Sequence, residues 1–180
     1  MSNLVPSGPR PEIMFMHGIT LQALATFPDQ LEAHFAAIPD EFKQWVPPSW
    51  DGIPSEHLTA LEQVGHVRDV EIQGYQARIR RTLAEQHPWL PSLDTDALAK
   101  TYRTLDAAQA LAAFREARVE TMAVIRGLTE SQLQRTADFE GYGPLTLRSL
   151  IHYLCSHDQQ HLAGLQWLLG KIESNQVPAS

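Results

Sequence analysis

The chain has 180 residues, 43% of them hydrophobic, and sets 14 Lys and Arg against 21 Asp and Glu for a formal net charge of −7. That length buries one sizeable core and makes a single domain the default, while the acidic balance and the lack of a Lys/Arg cluster argue against nucleic acid as a partner. Cys155 is the one cysteine, which leaves no internal disulfide and suits a reducing compartment.

In chain order, "MSNLVPSGPRP" (residues 1–11) reads as a flexible arm. The stretch "EIMFMHGITLQALATF" that follows is mildly apolar but is interrupted by Glu12, His17 and Gln22. No basic segment directly precedes its apolar part, so it does not read as a secretory signal. No uninterrupted apolar run approaches the roughly 18 residues of a membrane span. The expectation is a soluble cytoplasmic protein with no membrane partner.

A first helix is expected from about Ile19 to Ala37, with Pro28 blurring its start. "WVPPSWDGIP" ends it, because three prolines and a glycine cannot continue a helix. Ser55 then caps a second helix to about Glu85, closed by Pro88 and Pro91. Asp106 caps a third, running to about Gly127, and "TESQLQRTADF" adds a short helical piece. "EGYGP" breaks the chain before a fourth helix from Thr146 to about Ile172, and residues 173–180 read as a tail. No Val/Ile/Thr alternation points to a sheet. The fold class expected is all-α, a four-helix bundle over residues 12–172.

The faces of these helices carry the functional signal. At about 100° per residue, Leu147, Leu150, Leu154, Leu165 and Leu168 of the fourth helix fall within a sector of about 80°. His157 and His161 lie in that same sector, while His152 and Cys155 point away and are excluded as ligands of the same ion. Asp158 lies on the sector's margin, where it could orient a ligand without being one. On the third helix, Leu111, Phe114, Met122 and Ile125 form an apolar stripe with Arg118 in its middle. A guanidinium there needs a carboxylate or an anionic ligand, because an unpaired buried charge is costly. The second helix has a stripe of Leu58, Leu61, Gly65, Ile72, Ile79 and Leu83, with Asp69 close to it.

Two histidines at i, i+4 on one face can aim ring nitrogens at one ion about 2.0–2.1 Å from each. The bland alternative is a pair of hydrogen-bonded core histidines. A third ligand would come from the second helix, where spacing alone does not choose among Glu62, His66 and Asp69. His17, His34, His57 and His87 have no partner at ligand spacing and read as surface residues. The Glu-x-x-His pairs of di-iron bundles are absent, so one mononuclear site is expected.

"LEQVGHVRDVEIQGY", "AFREAR" and "GPLTLRSLIHYLCSHDQQHL" together resemble the DinB-like metal-binding four-helix bundles, over about Phe42 to Leu169. The His…HD-x-x-H arrangement is the most specific element, supported by the "GPLTL" lead-in to the last helix. The resemblance implies three histidines on one divalent ion, zinc or nickel, and by position these are His66, His157 and His161. It also matches Arg68, Asp69, Glu71 and Arg118, read either as groups beside the ligands and substrate or as a structural pair such as Arg118 with Asp69. A homodimer is plausible from the family alone.

Three neutral imidazoles leave the ion's charge intact and a coordination position open, which suits catalysis better than structural closure. Members resembling this chain include thiol-dependent transferases and isomerases and metal-dependent hydrolases. The leading expectation is a metal-dependent enzyme acting on a small-molecule substrate in metabolism or detoxification. It would activate a low-molecular-weight thiol cofactor, with Arg118 holding an anionic group. A hydrolase using water is the nearest variant, and a non-enzymatic metal-stabilised stress-response or binding module the competing class.

Overall fold

In the computed structural model, residues 16–94, 98 and 101–175 are described, so the arm expected at residues 1–11 lies outside them, as do residues 176–180 of the expected tail. Helix α1 spans Gly18–Ala37. The second long helical stretch is continuous but not uniform: α2, Ala60–Asp69, passes through a π-helical turn at Val70–Tyr75 into α3, Gln76–Ala84. Helix α4 is Ala107–Arg126, α5 a single turn at Glu130–Leu133, and α6 runs from Leu147 to Asn175, so Glu173–Asn175 are helical rather than tail.

Local chemistry accounts for the helix starts. Thr59, not Ser55, caps α2, in a reciprocal capping box: its hydroxyl accepts from the Glu62 N–H while Glu62 accepts from the Thr59 N–H at 2.9 Å. Asp106 caps α4 as the sequence predicts. Thr129 forms a second capping box with Gln132.

The fold is the expected four-helix bundle, and a small sheet that the sequence pattern did not signal joins its helices. Strand β1 (Trp89–Leu90) lies parallel to β2 (Thr136–Phe139), which pairs antiparallel with β3 (Gly143–Thr146). These strands are four residues or fewer, too short for an alternating pattern to stand out. Gly141 and Gly143 turn the β2–β3 connection with φ of 82° and 75°, a region closed to most side chains.

The helices bury two apolar clusters, one at each end. The first joins Met16 and Leu24 to Ile79, Met122, Ile125, Leu147, Leu150, Leu154 and the sheet residues Leu90, Ala137, Phe139 and Leu145. The second joins Phe27, Leu31 and Phe35 to Leu61, Val64, Val67, Ala110, Phe114, Leu165, Leu168 and Ile172. The order in which each helix visits the clusters gives its direction. Thus α1 and α6 run one way, while α2–α3 and α4 run the other. Each fully buried Leu or Phe adds about 1.5–3 kcal/mol. Helix α1 packs on α4 and α6, and α2 packs on the same two helices. Among the described residues, no helix is long and apolar enough to cross a membrane.

Between the two clusters the bundle has a polar waist. Arg118 is the largest fully buried side chain among the described residues. Its guanidinium forks onto Glu71 (Nε–Oε1 3.2 Å, Nη2–Oε2 2.9 Å) and onto Asp158 (Nη1–Oδ2 2.6 Å, Nη2–Oδ1 3.1 Å). Nη1 also donates to the Leu24 carbonyl at 3.1 Å. Asp69, the partner considered from sequence, instead accepts from Arg68 at 2.8 Å. Glu71 follows the buried Val64 and Val67 at helical spacing and so faces Arg118, whereas Asp69 lies on another side of the helix. The π turn comes after it, with Gln76 N–H bonding back to the Glu71 carbonyl, five residues away. Glu71 is 1% exposed and Ile72 37% exposed, although uniform spacing with Ile79 places Ile72 in the core; the extra residue of the π turn breaks that register.

Candidate metal centre

The three histidines singled out in the sequence meet at this waist. His66 arrives on α2, and His157 and His161 on successive turns of α6. His157 Nε2 lies 3.1 Å from His66 Nε2 and 3.2 Å from His161 Nε2. His66 is 3% exposed and His161 fully buried, while part of His157 reaches the surface.

A fourth group completes the cluster. Glu56, in the loop before α2, places Oε2 at 3.3 Å from His161 Nε2 and Oε1 at 3.8 Å from His66 Nε2. Ligand atoms of Glu56, His66, His157 and His161 all lie within 4.8 Å of one another. Glu56 keeps 48% of its side chain exposed, so it forms the solvent side of an otherwise buried centre. Sequence periodicity could not find it, because it is a loop residue with no helical register.

Gln63 fixes the chemistry of His161. Its Nε2 donates to the Leu58 carbonyl at 3.3 Å, which turns Oε1 towards His161 Nδ1 at 3.1 Å. That oxygen can only accept, so His161 carries its proton on Nδ1 and presents a bare lone pair from Nε2. Gln63 is fully buried one turn before His66. A buried amide at a helical core position was the available signal, and the sequence reading missed it.

This arrangement is electrostatically incomplete without a cation. The His161 Nε2 lone pair faces His157 Nε2 on one side and a Glu56 carboxylate oxygen on another. If His66 donates to His157, then two lone pairs face each other between His157 and His161. If His157 donates, one N–H serves two acceptors, and the lone pair of His161 still faces the carboxylate. Protonation does not resolve the conflict: burial lowers all three histidines, His157 to about 3, with His66, Arg118 and Arg78 adding to the effect there. In His66 the opposing pull of Glu56 and Asp69 is outweighed. Nitrogens about 2.0–2.1 Å from a tetrahedral ion would lie about 3.3–3.4 Å apart, close to the spacings found. The donor set therefore fits one divalent ion.

The other residues singled out in the sequence surround this centre without joining it. Asp158 and Glu71 are committed to Arg118, whose guanidinium is enclosed and has no N–H left for a substrate. Arg68 and Asp69 bond to each other. His152 Nδ1 lies 3.2 Å from Thr20 Oγ1, tying α6 to α1. Cys155 is half-buried away from the cluster, and burial pushes its thiol up. His57 stacks on Trp50, and His87 contacts Thr136 and Asp138, so neither reaches the centre.

The DinB superfamily model matches residues 23–165, and the chain belongs to that superfamily. Its fold is similar to that of YfiT from Bacillus subtilis, which is described as a probable metal-dependent hydrolase with an unusual four-helix bundle topology. The two share a TM-score of 0.77 and 24% identity over 92% of this chain and 93% of that one. No curated protein matches the chain significantly.

Proposed function

We propose that the protein is a mononuclear metal-dependent hydrolase of small molecules, with His66, His157 and His161 as the metal ligands and Glu56 as the general base. The observation that carries this reading is the facing of His161's Nε2 lone pair and the half-exposed Glu56 carboxylate at 3.3 Å. A divalent ion bound there, with zinc and nickel both suited to imidazole, supplies Lewis acidity that brings the pKa of a water towards about 7. Each histidine contributes a neutral donor, so the ion's charge is not cancelled. Gln63 holds the His161 ring and its tautomer, as groups behind metal-bound histidines commonly do. Glu56, on the solvent side, accepts the proton of the attacking water and can return it to the leaving group.

Glu56 also ranks hydrolysis above thiol transfer. A thiolate brought to the open position would meet the carboxylate's negative charge, whereas a water there gains an acceptor for its proton. The YfiT likeness supports the same direction.

The test is Glu56→Gln in the zinc- and nickel-loaded protein, assayed on a panel of activated esters, amides and phosphoesters without thiol. Metal content is expected to hold within twofold while turnover falls about 10²–10⁴-fold. Unchanged turnover removes Glu56 as the base. Turnover that appears only with an added low-molecular-weight thiol replaces hydrolysis by thiol transfer.

A further inference from the structure

The loop that carries Glu56 is seated on α6 by the absence of a side chain. Gly164 lies one turn after His161, and a Cβ built there would fall 2.3 Å from Ser55 Oγ, 3.0 Å from Ser55 Cβ and 2.8 Å from Gln63 Oε1. Ser55 directly precedes Glu56, and Gln63 Oε1 is the acceptor for His161 Nδ1. The vacancy at Gly164 thus admits both the loop and the amide that shape the histidine centre. One turn further on, Trp167 stacks on the loop's Trp50 at 6.2 Å and 15° between ring planes. His57 stacks on the other part of that ladder, 5.5 Å from Trp50 at 4°. The loop is therefore anchored to one face of α6 ahead of Glu56, through Trp50 and Ser55, and His57 folds back onto Trp50 just after it.

A glycine inside a helix costs about 1 kcal/mol relative to alanine. Gly170, in the same helix, has nothing within 4 Å of a built Cβ. Of these two α6 glycines, Gly164 alone has a close neighbour that explains it.

We propose that Gly164 is a positioning residue of the histidine centre: by presenting no side chain, it lets Ser55 close on α6 and so places the Glu56 carboxylate and the Gln63 amide. The placement stands on geometry alone; its consequence for catalysis rests on the reading of the centre given above.

Gly164→Ala tests it, with Gly170→Ala as the helix control and Ser55→Val as a variant that crowds the same contact from the loop. Two readouts separate this proposal from the metal reading. The first is the ¹⁵N NMR signature of the His161 tautomer in metal-free protein, and the second is zinc affinity by chelator competition. In wild type and Gly170→Ala, His161 is expected to hold its proton on Nδ1. In Gly164→Ala and Ser55→Val that preference is expected to be lost, with zinc binding about 10–100-fold weaker. Should Gly164→Ala fail to fold, Ser55→Val alone decides. A folded Gly164→Ala, or Ser55→Val, with wild-type tautomer and zinc affinity overturns the proposal. Loss of the tautomer in a protein whose wild type binds no zinc upholds the positioning role and removes the metal reading.

Discussion

Pro28 and Arg118 are complementary. Proline has no N–H to return to the carbonyl of residue i−4, and in α1 that carbonyl belongs to Leu24. Arg118 Nη1 fills the gap at 3.1 Å. With its two carboxylate forks, this uses all five guanidinium N–H groups, so a fully buried charge is left with no unmet donor. Burial works to lower the pKa of Arg118, but Asp158 and Glu71 outweigh it and hold the group above its ordinary value.

If the pairing acts as a unit, Arg118→Met strands Glu71 and Asp158 and costs about 3–5 kcal/mol in denaturant unfolding. Pro28→Ala restores the helix N–H and makes it compete with Arg118 for Leu24. A double-mutant cycle between the two is expected to show coupling of about 0.5–3 kcal/mol. Additive effects, or an Arg118→Met protein as stable as wild type, contradict this account.

The four long helices and the meeting of His157 with His161 were legible because the leucines, His157 and His161 share one helical sector. His66 was not separable from Glu62 and Asp69 by spacing, and the family resemblance chose it. The partners of Arg118 were illegible for a definite reason: a stripe drawn in one register through Leu61, Gly65, Ile72 and Ile79 turns Glu71 out and Ile72 in, whereas Glu71 follows the buried Val64 and Val67 and the π turn breaks the register before Ile79. Glu56 and the short strands lie in connections, where no periodicity marks a side chain's direction.

His152→Ala separates the two faces of α6. Its ring is tied to Thr20 rather than to the cluster. Metal content is expected to match wild type, with a stability loss of about 1 kcal/mol from the lost hydrogen bond. A fall in metal content would mean that the two faces are wrongly assigned.

Acid stability of the metal-free protein carries two opposite slopes. The histidines, lowered by burial, contribute stability that is complete above their unfolded value of about 6.5 and is lost as pH falls, for His157 through about 3. Asp158 is pushed up to about 7 by burial, with Glu71 adding and Arg118 opposing. Its contribution is present below the unfolded value of 3.8 and is lost as pH rises towards 7. Asp158→Asn removes the second slope, so between pH 4 and 7 that variant should lose stability on acidification more steeply than wild type. The difference should approach about 1.4 kcal/mol per pH unit. Parallel curves would show that Asp158 stays ionised.

The convergence of three imidazole nitrogens and a carboxylate on one point is the core of the account, and metal content tests it most directly. Untagged protein purified without chelators, and again after reloading with zinc or nickel, is compared with His157→Ala by elemental analysis. The account predicts about one divalent ion per chain in wild type and its loss in the variant. No stoichiometric metal in wild type after reloading would contradict it and leave the histidines as packed core residues.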